Sequence, residues 1–251
     1  MGNANVEQIT VTAITKNEED NIGQMIASIP CQFTIIIVDS YSNDRTAEIA
    51  KSFGNVRFFQ KTWSDFSEQK QFAVSKAPTD WILNLDADER MTKELIQELK
   101  TLNLDPIVGY QILRKNYFLD KEVKHSGWNP DPVLRLFNKR FCHYNGRPVH
   151  ESITGFDRVA RLHGKIDHYP YSDKEDIQNK IRLYASLGAH TVNSKVYLPL
   201  VRASWAIFRT LVLKLGILDG LTGIQISLMN GKSTYLKYAI ARSRQLSKNL
   251  E

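Results

Sequence analysis

Cysteine is scarce: Cys31 and Cys142 are the only two in 251 residues, and their spacing suits no metal. That excludes a disulfide framework and points to a reducing compartment. The opening MGNANVEQIT has neither a basic start nor an apolar core, so no signal peptide is expected. Myristoylation is not expected either, because its motif wants Ser or Thr where Val6 stands. The chain has no internal repeat and no low-complexity segment. With 42% hydrophobic and 24% charged residues, it has the composition of an ordinary globular protein and not of a disordered one. The length predicts one large domain, or one domain with an appendage.

What the chain does have is an uneven charge. Residues 1–171 hold 21 Lys+Arg against 22 Asp+Glu, whereas residues 172–251 hold 12 against 5. A near-neutral body with a basic tail predicts that the tail meets something anionic, either nucleic acid or an anionic membrane face. A nucleic-acid partner would account for the pI of about 9.2. It would not account for carboxylates at strand ends, and the basic residues form no reader motif; nucleic acid is therefore not the expected partner.

Apolar runs alternate with helical patterns over the first hundred residues. QITVTAITKNEEDNIGQMIASI reads as a strand from Ile9 to Ile14, a polar turn with Asn17 as helix cap, and a helix with Glu18, Glu19 and Asp20 at its positive end. FTIIIVDSYSNDRTAEIAKSFG repeats the pattern. Its unbroken Ile35–Val38 run predicts a strand buried on both faces, with Asp39 at the carboxyl end. NVRFFQK and WILNLDAD supply two more strands, with SEQKQFAVSKA helical between them. This alternation predicts an α/β fold with a doubly wound, mostly parallel sheet. Ligands of such sheets bind beyond the carboxyl ends of the strands, where Thr15 to Glu18, Asp39 and Asp86 to Asp88 all fall.

In DWILNLDADERM a buried strand runs into Asp86, Asp88 and Glu89. Crowded carboxylates repel and raise at least one pKa, and a cation removes that cost. Asp-x-Asp in an extended chain puts both side chains on one side, a pair of oxygen ligands suited to magnesium or manganese. The competing reading makes DERMTKELIQELK a helix with acids in its first turn. From residue 105 the pattern becomes mainly strands, with a hairpin at Asn145-Gly146. After HYPYSD it becomes helical: Lys174 to about Ser194, Tyr197 to Leu215, and about Leu221 to Leu246.

In order and spacing, TAITKNEEDNI, IIVDSYSNDRTAEIA, SEQKQFAV and WILNLDADE resemble the donor domain of family 2 glycosyltransferases of the GT-A fold. GWNPDPVLRLFNKRFCHYNGRPVHESI and GILDGLTGIQISLMNGKSTYLKYA look like that family's lipopolysaccharide core branch, similar to bacterial core β-1,4-glucosyltransferases. The likeness covers roughly residues 8–240. It departs at Tyr41, where many relatives have a Gly in VDSGSTD, and in SLMNGKSTYLKYA, which is more polar than that branch's apolar run.

The resemblance implies a Rossmann-like nucleotide-sugar domain, with residues 1–104 binding the donor and 105–171 forming the acceptor side. Residues 172–251 would be a basic, amphipathic helical extension. It implies inverting transfer of a sugar, with UDP-glucose the first candidate donor, to a saccharide acceptor of a bacterial surface glycan such as the lipopolysaccharide core. A divalent metal, magnesium or manganese, would be held by Asp88 with Asp86 nearby and would neutralise the diphosphate leaving group as a Lewis acid. Thr15, Asn17 and Glu18 would close over base and ribose, and Asp39 would accept from the uracil or ribose. Lys70 would face the nucleotide, or else be a solvated helix lysine. Inversion needs a general base, with Glu151 in RPVHES ranked first and Asp131 in WNPDPVLRLF second. His150 is a third metal ligand, an orienter of Glu151, or a satisfied core histidine. Arg135 and Arg147 bind diphosphate or an acceptor phosphate through their planar forks, or sit in surface ion pairs. Trp128 stacks on a sugar or belongs to the core.

Other classes stay open. A non-catalytic nucleotide-sugar-binding module would share these residues, as would a transferase acting on a lipid phosphate or a protein. A sugar nucleotidyltransferase would want a Gly-rich loop after the first strand, and TAITKNEED has no Gly. In the tail, VYLPLVRASWAIFRTLVLKLGIL is apolar but carries Arg202, Arg209 and Lys214, which are costly within a membrane span. Arg202 and Arg209 are seven apart and share one helical face, while Leu198, Val201, Trp205, Phe208 and Val212 share another. This reads as an interfacial amphipathic helix, or as a core-packing helix of a C-terminal subdomain. With a lipid-linked saccharide as acceptor, the interfacial reading predicts a cytoplasmic enzyme, peripheral at the inner face of the cytoplasmic membrane.

Overall fold

The computed structural model describes residues 6–147, 151–192 and 198–248. The chain divides into two compact units, Met1–Arg114 with Asp131–His168, and Lys115–Pro130 with Tyr169–Glu251.

In the first unit, β1 (Ile9–Thr15), β2 (Thr34–Asp39), β3 (Val56–Gln60) and β4 (Trp81–Asn84) run parallel in the order β3-β2-β1-β4. The Ile35–Val38 run is fully buried, as expected for a strand covered on both faces. Helices α1 (Glu19–Ala27), α2 (Thr46–Lys51) and α3 (Phe66–Lys76) link these strands. Asp65 caps α3 by accepting from the Glu68 N–H. Asn17 does not cap α1 as expected. Glu18 holds that position, and Asn17 takes a left-handed φ of 55° with its side chain accepting from the Asn43 N–H.

A second correction follows β4. Glu89 does not open a helix; β5 (Glu89–Met91) is a short strand, and α4 (Lys93–Thr101) starts behind Thr92, whose hydroxyl accepts from the Leu95 N–H. The signal was the Thr-Lys-Glu sequence, a capping residue with an acid in the first turn.

The strands β6 (Val108–Phe118), β7 (Lys121–Glu122), β8 (Pro132–Asn138), β9 (His143–Tyr144), β10 (Ile153–Thr154) and β11 (Arg158–His168) follow. The sheet continues past β4 as β8-β6-β11-β5 with antiparallel pairs, so it is mixed. β9 and β10 form the expected hairpin, but Asn145 pairs with Ser152 and the loop is longer than a two-residue turn. One face of the sheet buries Val11, Ile35, Ile37, Leu83, Leu136 and Ile166, and the other buries Ile36, Val38, Ile82 and Phe137. Each such side chain contributes about 1.5–3 kcal/mol on burial. Close packing of α4 on β11 requires Gly164, where a Cβ would lie 2.3 Å from Leu95 Cα.

In the second unit, α5 (Lys174–Gly188), α6 (Pro199–Phe208) and α7 (Gly220–Lys248) assemble with the 115–130 segment. Phe118 and Val123 pack against Ile177, Ile181 and Ile226. Trp128 joins this cluster, with its ring 6.1 Å from Phe118 and 6.3 Å from Tyr171. The helix expected to run to Leu215 is α-helical to Phe208 and ends at Leu213. Its last residues form a π-helical turn (Arg209–Leu213), and a left-handed Leu215 and a 3-10 turn (Gly216–Asp219) follow. Arg202 and Arg209 stay seven residues apart in continuous α-helical phase, since α6 is unbroken between them; the Arg202 guanidinium lies 5.6 Å over the Tyr238 ring, and Arg209 is exposed. Among the described residues no single helix is long and apolar enough to cross a membrane, although Pro199–Leu213 and Gly216–Arg244, bent by 72°, pass that test as a pair. Leu198, Val201, Trp205, Phe208 and Val212 are all exposed.

Candidate active site

The parallel register sets Thr15 beside Asp39 and Asp39 beside Gln60 at one sheet edge. Asp39 is fully buried. Its Oδ1 accepts from Thr15 Oγ1 at 3.1 Å and from Ser42 Oγ at 2.5 Å, and its Oδ2 accepts from the Ser42 N–H at 2.9 Å. The loops after β1 and β2 are joined. Lys16 donates to the carbonyls of Ser40 and Tyr41, the Asn17 N–H donates to Ser42 Oγ, and the Glu18 N–H donates to Thr46 Oγ1. Tyr41 has a φ of 57°, in the left-handed region that a residue without Cβ enters at no steric cost.

Beyond β4 a single chain of alternating charges runs through the site. Glu151 accepts from Lys70 at 2.9 Å, and Lys70 also pairs with Asp86 at 3.3 Å. Asp86 pairs with Arg135, Arg135 with Glu89, Glu89 with Arg114 at 3.4 Å, and Arg114 with Asp131 at 2.8 Å. The two carboxylates ranked as general base thus stand at opposite ends of one network. A cavity of about 410 Å³ is lined by Lys70, Asp86, Arg135, Tyr144 and Glu151. Burial works against the Asp86 carboxylate, but Arg135 and then Lys70 outweigh it and hold the group well below the usual carboxylate range. Burial also pushes the Glu89 carboxyl upward, with Asp86 adding to the push, against the pull of Arg135 and Arg114. The Arg135 guanidinium is held firmly protonated: burial opposes its charge, and Asp86 and Glu89 more than compensate.

Asp88 follows in the turn. Its Oδ2 faces His168 Nε2 at 3.5 Å, because β5 and β11 pair with His168 opposite Glu89. Among the described residues no group of three or more His, Cys, Asp or Glu side chains is placed to hold a metal. Asp88 and His168 are the two that stand together at the strand end.

The structure therefore brings Thr15, Asn17, Glu18 and Asp39 to one edge, and Lys70, Asp86, Arg135 and Glu151 to one cavity. Lys70 and Arg135 are both buried, so Lys70 is not a solvated lysine and Arg135 is not in a surface pair. Asp131 reaches the network through Arg114. Arg147 stays exposed, with its N–H on Asn145. His150 lies outside the described residues. Glu89 was named only as one of the crowded acids, and Arg114 and His168 were missed. Two of them share a signal: Arg114 continues the inward phase of Val108, Tyr110 and Ile112, and His168 that of Leu162, Gly164 and Ile166.

The family model Glycosyl transferase family 2 matches residues 10–160. The lipopolysaccharide core biosynthesis glycosyltransferase LpsC of Rhizobium meliloti is 34% identical over 170 residues, covering 62% of this chain and 61% of that protein. An uncharacterized glycosyltransferase of Rickettsia typhi is 30% identical over 195 residues, covering 72% of this chain and 66% of its own length. This chain thus spans just under two thirds of each of these relatives. Among solved structures, S. aureus TarS 1–349 in complex with UDP-GlcNAc has a TM-score of 0.51 at 13% identity, covering 96% of this chain and 92% of that one. That likeness concerns the fold, a GT-A-like mixed sheet. With more than half its length under the family model, the chain belongs to glycosyl transferase family 2.

Proposed function

We propose that this chain is an inverting hexosyltransferase that moves a sugar, with UDP-glucose the first candidate donor, to a saccharide acceptor of a bacterial surface glycan such as the lipopolysaccharide core. The observation that carries the reading is the cavity beyond β4, in which Lys70 bridges Asp86 and Glu151. The name of LpsC and the UDP-GlcNAc complex of TarS support the acceptor and donor classes.

Asp39, fixed by Thr15 and Ser42, holds the base or ribose. Glu151 takes the proton of the acceptor hydroxyl while that oxygen bonds to the anomeric carbon. The bond from that carbon to the diphosphate breaks, and its electron pair leaves with the diphosphate. Lys70, at 2.9 Å from Glu151, sets the direction of the carboxylate. Asp131 is the second choice, because Arg114 Nε and Nη2 both hold its Oδ2 and it does not line the cavity.

A divalent cation would be held by Asp88 and His168, whose carboxylate and imidazole face each other at 3.5 Å. The oxygens of Asp86 are taken by Lys70 and Arg135. When bound there, magnesium or manganese would act as a Lewis acid toward the departing diphosphate. The exposed apolar residues of the basic second unit support peripheral attachment to the inner face of the cytoplasmic membrane.

A thermal-shift screen of nucleotide sugars, with and without manganese, tests the reading. The true donor at about 100 times its Kd should add about 2.7 kcal/mol of stability. If no UDP-sugar moves the midpoint under either condition, the reading fails. Transfer to a saccharide acceptor then separates the enzyme from a non-catalytic module.

A further inference from the structure

The second unit has a cavity of its own, about 310 Å³ in volume. Its floor is buried and apolar, formed by Phe118, Ile177 and Ile181. Leu228 and Met229 of α7 close one side. Two exposed cations, Lys174 on α5 and Lys232 on α7, stand at its rim with Gln178 and Gln225. Among the described residues no carboxylate lines it and neither lysine has an ion pair, although Lys232 donates to Gln178 Oε1.

Such a lining suits a ligand that is apolar at one end and anionic at the other. A neutral hydrocarbon would leave both ammonium groups without a counter-charge, and a small anion alone would leave the apolar floor unfilled. An access route is also present. Leu221, Ile224 and Leu228 recur at helical spacing along one face of α7 and are 80%, 41% and 55% exposed. Leu228 belongs both to this stripe and to the cavity wall. Ile217 and Leu218 extend the exposed apolar surface beyond the start of α7. Asp219, the acid nearest the stripe in sequence, accepts instead from the Lys124 and His125 N–H groups and from Ser126 Oγ.

We propose that this cavity binds one acyl chain of an anionic membrane lipid, with the lipid phosphate held by Lys174 and Lys232. The proposal rests on the membrane reading above for the source of the lipid, and on the lining alone for its chemistry.

Isothermal titration of the full chain with monomeric dodecyl phosphate tests the cavity, with inorganic phosphate and dodecyl maltoside as controls. Dodecyl phosphate should bind at one site, with each control at least about tenfold weaker, a difference of about 1.4 kcal/mol. Lys174→Glu with Lys232→Glu should weaken dodecyl phosphate by a similar factor or more. Met229→Trp should fill the space and abolish binding while the chain still unfolds cooperatively and still answers to UDP. Equal binding of dodecyl maltoside, or undiminished binding by Met229→Trp, overturns the proposal. A parallel arm uses vesicles containing phosphatidylglycerol. Wild type that binds these vesicles but not dodecyl phosphate overturns the cavity and leaves the membrane reading standing. Wild type that takes dodecyl phosphate but ignores the vesicles overturns the assignment to a membrane lipid, and the membrane reading with it.

Discussion

Replacing Arg135 by Met keeps the side chain's bulk and removes the central cation of the charge network. Arg135 bridges Asp86 and Glu89. Breaking a buried ion pair by deleting one partner costs about 3–5 kcal/mol. Here the low end applies. The Asp86 side chain is 34% exposed toward the cavity and keeps Lys70, whereas Glu89 is 0% exposed and retains Arg114, at 3.4 Å, as its one remaining cation among the described residues, beside the Asp86 N–H. Most of the loss, about 3 kcal/mol, therefore falls on Glu89. A loss of that size lowers the midpoint by about 6–12 °C in a chain of 150–250 residues.

The sign of the pH dependence follows from Asp86, whose carboxyl is held below its ordinary range mainly by Arg135 against burial. That contribution is complete above the ordinary carboxylate range and is lost as pH falls through the depressed value. Without Arg135, protonation relieves the two facing acids, so the gap between wild type and variant should be widest near about pH 7 and should narrow toward about pH 4. Urea unfolding at both pH values measures it. Adding Glu89→Gln to Arg135→Met should recover stability, as expected for coupled neighbours. An Arg135→Met chain with the wild-type midpoint at neutral pH, or a gap that ignores pH, refutes the charge network as a source of stability.

Asp88→Ala should abolish transfer and manganese-dependent UDP binding without unfolding the chain, as read by activity, calorimetry and circular dichroism; His168→Ala should weaken the same metal dependence. Glu151→Gln should lower kcat by about 10²–10⁴-fold with donor affinity nearly intact, and finding that signature in Asp131→Asn instead would reverse their ranking. Tyr41→Gly should raise the urea midpoint by the equivalent of about 0.5–1 kcal/mol, because relief of the left-handed backbone exceeds the entropy that Gly adds to the unfolded chain. Vesicle binding should rise with anionic lipid and fall with salt. Leu218→Asp with Leu221→Asp should reduce it by about a hundredfold, the value of roughly 3 kcal/mol of lost apolar contact.

The four parallel strands were legible because each is a short apolar run punctuated by turn residues, and Thr15, Asp39 and Asp86 lie where those runs stop. β5 was not legible. Three residues of strand carry no periodicity, and Glu89, following Asp86 and Asp88, imitates a helix start. The ends of the charge network were marked as candidates, but its continuity was not, since Lys70, Arg114, Asp131 and Glu151 meet only through the sheet order. The opposition of Asp88 and His168 depends on an antiparallel register set 80 positions apart in the chain, which no local spacing reveals. The change to a π-helical turn after Phe208 was hidden because Arg209 to Leu213 have ordinary helical composition.

The division of the second unit into two stretches of sequence has a consequence for the order of folding. Lys115–Pro130 is synthesised before most of the strands that complete the first unit, yet Phe118 and Val123 are covered by Ile177, Ile181 and Ile226, which come later. During synthesis, which proceeds from the N-terminus at about 5–20 residues per second, the hairpin that β7 makes with the end of β6 must wait for some fifty residues before its first cover arrives. A chain cut after His168 would keep the hairpin and lose its cover permanently. Deleting the helical region would thus expose apolar surface where the wild type has a packed core, and aggregation of such a truncated chain would report a stranded hairpin.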